Sequence, residues 1–110
     1  MLKIVQRPEF TVSVTVNTLH TQGTFRMDCL ALPVSEQDAI EKKAMAERQS
    51  WGLLRAAVLR VHDIQLPDVP EPTVAQVLDF PGLGGAMLQA YSRGLYEEQQ
   101  GNSAPPPAGS

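Results

Sequence analysis

Residues 10–16 read FTVSVTV, and this alternation restricts the fold more than any other stretch of the chain. Phe10, Val12, Val14 and Val16 fall on one side of an extended backbone, and Thr11, Ser13 and Thr15 on the other. Side chains alternate across a strand with a period of two. A helix would scatter this apolar set around its circumference. The stretch therefore predicts a strand with one buried face, favoured further by its β-branched residues. Residues 24–32, TFRMDCLAL, alternate again. Phe25, Met27 and Cys29 point inward, Ala31 is next in that series, and Arg26 and Asp28 point outward. Between them NTLHTQG carries Asn17 and Gly23, the residues of a turn. Two strands with a short link predict an antiparallel hairpin. The leading MLKIV is either a further strand or a flexible arm, because Pro8 interrupts it.

The period changes at residues 32–64, LPVSEQDAIEKKAMAERQSWGLLRAAVLRVHDI. Ser35 stands three residues before Asp38, a loose capping box. Glu36 and Asp38 fall where the helix dipole favours acids. Ile40, Ala44, Trp51, Leu54, Val58 and Val61 then recur at spacings of three, four or seven. This predicts one long helix, or two broken near residues 50–52, with a single apolar face. QLPDVPEP, with three prolines in six positions, is a connector. TVAQVLDF predicts a short helix capped by Thr73 and ended by Pro81 and Gly82. A last helix is expected from about Gly84 to Gln99, with Met87, Leu88, Tyr91 and Leu95 as its apolar stripe. GNSAPPPAGS has no core-forming residue and reads as a disordered tail. The expected organisation is one domain over residues 1–100 and a tail over 101–110. The fold class is α+β: a small antiparallel sheet followed by three or four helices packed on it.

Chemistry-bearing motifs are few. The glycines at 82, 84 and 85 open the last helix, but a dinucleotide loop needs G-x-G-x-x-G directly after a strand, and a phosphate loop needs Lys then Ser or Thr. Neither pattern is present, so the glycines are expected to turn the chain between two short helices. Cys29 with His20 or His62 suggests a nucleophile and base. Yet Cys29 lies on an inward strand face, where it behaves as a small hydrophobe. His62 is expected to close a helix. One cysteine and two histidines make a poor metal set. Glu97 and Glu98 are adjacent and expected on a solvated helix end. PDVP at 67–70 matches a bare PxxP without a flanking Arg. The net charge of −3, with no basic block, argues against nucleic-acid binding. No apolar run approaches the ~18 residues of a membrane span. No catalytic, cofactor-binding or metal-binding residue is assigned, and no enzymatic activity is expected.

The order of these features resembles the tail assembly chaperones of long-tailed bacteriophages. That family carries an N-terminal FxVxVxV strand, here FTVSVTV. A strand of pattern G-x-F followed by L-P comes next, here GTFRMDCLALP. An acidic helix follows, here VSEQDAIEKK, then a Trp-led apolar segment, here WGLLRAAVLRVHDI. Last come a D-x-P-G turn and a helix containing AY, here VLDFPGLGGAMLQAYSRGLYE. The resemblance spans roughly residues 8 to 100. It departs from the pattern at HDIQLPDVPEP, where the family has a Gly-containing turn.

The resemblance implies a protein of tail morphogenesis, absent from the finished virion. Such a protein binds the long helical tape measure protein in the host bacterial cytoplasm. It keeps that client soluble until the tail tube polymerises around it. A longer form made by ribosomal frameshifting would recruit tail tube protein, and a homo-oligomer is expected. A holdase needs an apolar surface. Trp51, Leu54 and Val58 on one helix, with Met87, Tyr91 and Leu95 on another, are the candidate partner-binding residues. The alternative is a small non-catalytic adaptor domain unrelated to phage tails.

Overall fold

The structure, a computed structural model, describes residues 1–4 and 7–96. The expected tail, Glu97 and Glu98, and the end of the last helix lie outside the described residues. Strands β1 (Glu9–Asn17) and β2 (Gln22–Leu30) form the hairpin. Their register pairs Phe10 with Cys29, Val12 with Met27 and Val14 with Phe25. The inward residues Val12, Val14, Val16, Phe25, Met27 and Cys29 are all buried. Alternation thus placed both faces correctly as far as Cys29; β2 ends at Leu30, and beyond it Leu32, not Ala31, enters the core. Residues 1–4 form no strand.

Helix α1 (Val34–Ala46) starts from Pro33, with no side-chain cap. The expected Ser35 cap is not formed. Instead the Gln37 side chain donates to the Leu32 carbonyl at 2.8 Å. Proline suits this place because it brings no N–H that needs a partner. Helix α2 (Gly52–Ala57) is a short second piece, and the break near residues 50–52 is present.

The chain then departs from the expected helix. Residues Val58–His62 form strand β3, which pairs antiparallel with β2 and makes a three-stranded sheet of order β1-β2-β3. The register runs Cys29 with Val58, Asp28 with Arg60 and Met27 with Val61. Leu59 is therefore an extra residue, a β-bulge. Residues three apart on a regular strand face opposite ways. The bulge resets the alternation, so Val58 and Val61 both meet the core. A bulged strand imitated helical spacing here. Accordingly His62 ends a strand, not a helix.

Helix α3 (Val74–Leu78) opens with a full capping box. Thr73 Oγ1 accepts from the Gln76 N–H, and Gln76 Oε1 accepts from the Thr73 N–H. Gly82, with φ of 87°, turns the chain into helix α4 (Leu83–Tyr96). Gly84 and Gly85 belong to the first turn of α4, not to the turn before it. The fold is α+β: among the described residues α4 packs against β1, α2 and α3 against β3, and α1 against α2 rather than on the sheet.

Tyr91 ties α4 to the end of β2. Its hydroxyl donates to the Leu30 carbonyl at 2.8 Å and accepts from the Leu32 N–H at 3.3 Å. Burial pushes its phenol pKa upward. The outer face of the sheet is polar and centred on Asp28. Asp28 accepts from Thr11 Oγ1 at 2.7 Å and Arg60 Nε at 2.6 Å, and His62 Nε2 lies 2.8 Å from its Oδ2. Contact with His62, then the Thr11 hydroxyl, holds the Asp28 carboxyl well below the usual range.

Candidate functional site

The six candidate partner residues do not share a surface. Leu54, Met87 and Tyr91 are wholly buried, and Val58 is buried at the start of β3. Leu95 is partly buried against the core. Helical stripes on α2 and α4 face the sheet, because that is where their apolar area leaves water. Of the six, Trp51 alone counts as exposed, at 37%. A client cannot reach Leu54, Val58, Met87 or Tyr91 without opening the core, so the two expected stripes are not a docking face.

An open apolar groove does exist beside Trp51. It measures about 380 Å³ and runs between α1, α2 and α4. Ala44, Gly52, Leu53 and Leu54 lie at its base, Met45 and Leu88 flank it, and Glu41 and Gln49 are its polar members. Met45 is 80% exposed and Leu88 36%. Two close approaches shape it. A Cβ on Gly52 would stand 2.3 Å from Ala44 Cβ, so α2 can pass this near to α1 only with glycine there. A Cβ on Gly84 would stand 2.2 Å from Trp51 Cε2, so the indole rests on bare backbone of α4. Trp51 holds a left-handed backbone, φ 58°, as the N-cap of α2. This is an unusual conformation for a bulky residue, and it directs the ring across to α4.

Sequence reasoning found Trp51 but missed Met45 as a site residue. Met45 is adjacent to Ala44, whose small side chain faces α2, and one position decides whether a helical residue lies over or beside a crossing. Leu88 was visible in the α4 stripe, and its place on the open flank of that stripe was not.

The residues that suggested chemistry are kept apart. Cys29 faces the core and burial pushes its thiol up to about 12. His62 is on the opposite face of the sheet, against Asp28. His20 is exposed in the hairpin turn. Among the described residues, no three His, Cys, Asp or Glu side chains could together hold a metal ion. No helix among them is long and apolar enough to cross a membrane. A second depression of about 510 Å³ lies at the hairpin tip, with Phe25, Ile64, Phe80 and Leu83 among its lining. Its polar members include Asp63, already paired with Arg26 at 2.7 Å. The chain matches no protein-family model, no curated protein and no solved structure.

Proposed function

We propose that this chain is a tail assembly chaperone of a long-tailed bacteriophage or prophage. It binds the tape measure protein through the groove between α1, α2 and α4, and keeps that client from aggregating before the tube forms. The observation that carries this reading is the groove itself: Met45, Trp51 and Leu88 expose apolar surface around an apolar base. The order of motifs along the chain supports the same family. A tape measure protein is long and helical, and an amphipathic helix laid in a groove is a recurrent mode of recognition. Met45 suits a surface that must accept many similar helix segments, because an unbranched thioether adapts its shape.

One groove of this size gives weak binding. Several copies along one client multiply it through effective concentration, which is the use of a homo-oligomer. The work is done in the host bacterial cytoplasm, and a longer, frameshifted form brings tail tube protein to the coated client. Co-expression with the tape measure protein of the same genome tests the reading. The client is expected to become soluble and to co-purify. A client that stays insoluble beside the folded chain, in both short and longer forms, would overturn the proposal in favour of an unrelated adaptor.

A further inference from the structure

Strand β3 stops before β2 does. It pairs with β2 from Arg26 to Cys29, whereas β1 pairs with β2 from Gln22 to Leu30. The backbone turns off at Asp63, left-handed with φ of 63°, just after His62 meets Arg26. Residues 22–25 of β2 therefore have a strand on one side and a notch on the other. The hairpin fixes where their backbone groups point. The Pro8 carbonyl accepts from the Ala31 N–H at 2.8 Å, so even-numbered residues of β1 bond to β2, and odd-numbered residues of β2 bond back. Gln22 and Thr24 turn their N–H and C=O the other way, into the notch. The depression of about 510 Å³ lies there, lined on the β2 side by Gln22, Gly23, Thr24 and Phe25. Ile64, Phe80 and Leu83 complete its apolar side, and Phe80 is 39% exposed. The proline-bearing connector adds a wall at Pro67.

We propose that the notch takes a short, extended, basic segment of a partner protein, added antiparallel to β2 in the row that β3 vacates. The free backbone groups of a strand edge are satisfied by another extended backbone. A segment residue opposite Thr24 exchanges both hydrogen bonds with it and points its side chain to the outer, polar face. Its two neighbours point inward, because side chains alternate along a strand, and fall between Phe25, Phe80 and Leu83. The pattern required is apolar, polar, apolar. Charge sets the nature of the polar positions. Between Arg60 and Arg93 the chain carries Asp63, Asp68, Glu71 and Asp79 and no Lys or Arg. Asp63 lines the notch, and Asp68 and Asp79 adjoin its lining residues Pro67 and Phe80. Asp63 is paired with Arg26, but Asp68, Glu71 and Asp79 make no ion pair among the described residues. Lys or Arg at the outward positions has a stem long enough to reach these carboxylates. The notch is separate from the groove beside Trp51 and does not rest on what that groove binds.

The test is an NMR titration of the isotope-labelled full chain with the end-blocked peptide Lys-Val-Lys-Val-Lys. Amide shifts should centre on residues 22–25 and Phe80, and hydrogen exchange of the Thr24 N–H should slow. Replacing both valines with serine should weaken binding more than about tenfold, from the apolar area lost. N-methylation separates an added strand from apolar contact alone. On the central lysine it removes the N–H that donates to the Thr24 carbonyl, and should weaken binding about fivefold or more. On a valine, whose N–H faces away from β2, it should change affinity less than about twofold. Exchanging every lysine for glutamate should weaken binding about tenfold, and added salt should weaken the lysine peptide. Phe80→Ser should weaken binding about tenfold in a folded protein, since Phe80 is exposed. The proposal is overturned by shifts that are absent or fall elsewhere, by a serine or glutamate peptide that binds as well, or by equal effects of N-methylation on lysine and valine. Notch resonances that move with protein concentration alone, before peptide is added, would make a second copy the occupant, which also overturns it.

Discussion

Replacing Gly84 with alanine should destabilise the fold, although the same change in most helices stabilises it. Gly→Ala in a helix interior gains up to about 1 kcal/mol, less in a first turn. At Gly84 the new Cβ would stand 2.2 Å from Trp51 Cε2 and 2.6 Å from Cζ2 and Nε1. No such contact survives, so the indole must swing off α4. Trp51 is 37% exposed, which leaves nearly two thirds of it covered. A tryptophan buries up to ~250 Å², so about 150 Å² returns to water, worth ~4 kcal/mol at 25 cal/mol per Å². Partial repacking of the freed ring reduces this to about 2–4 kcal/mol. Against the helix gain, the net loss is about 1–3 kcal/mol. Gly85 is the internal control, because nothing lies within 4 Å of its added Cβ. Gly85→Ala should stabilise slightly, so two adjacent glycines should give opposite signs. Urea denaturation measures both, and the fluorescence of the chain's single tryptophan reports whether the ring has left. In a Trp51→Ala background, Gly84→Ala should change sign and become stabilising. A Gly84→Ala variant as stable as Gly85→Ala, with Trp51 in place, would refute this account of the groove wall.

Other substitutions test the core and the sheet. Tyr91→Phe leaves the Leu32 N–H and Leu30 carbonyl without their shared partner and should cost about 1–2 kcal/mol by denaturation. Tyr91→Asp should unfold the chain, since Tyr91 is 1% exposed. The Asp28 carboxyl is depressed, chiefly by His62 and then Thr11. Its contribution is therefore complete above the ordinary carboxylate pKa of about 3.9 and is lost as pH falls from there through the depressed value. Asp28→Asn should cost about 1 kcal/mol at neutral pH and progressively less in acid. Parallel urea midpoints that keep the same gap at every pH would contradict it.

The hairpin was legible because FTVSVTV and TFRMDC alternate without interruption, and one buried face fixes a register. The Thr73 cap was legible because its partner, Gln76, is local. β3 was hidden by a physical coincidence: the bulge at Leu59 put Val58 and Val61, three apart, on one face, which is what a helix does. The α1 cap was misplaced because Ser35 carries a good capping side chain, but the helix already begins at Val34 behind Pro33. The site was less legible than the fold. Periodicity identifies an apolar face without saying whether it meets the core or the solvent. Leu54, Met87 and Tyr91 satisfied the pattern and went inside. The groove depends instead on where α1, α2 and α4 cross, through Gly52 on Ala44 and Trp51 on Gly84. Those contacts join residues distant in sequence. The glycines that suggested a phosphate loop are in part such a contact, a bare patch of helix on which an indole lies.

The most direct test of the central claim compares two co-expressions with the tape measure protein of the same genome, one with wild type and one with Leu88→Glu. Leu88 is at the groove and 36% exposed, so the variant should fold. The account predicts soluble client co-purifying with wild type, and insoluble client beside folded Leu88→Glu. Equal client solubility with both would contradict the groove as the binding site.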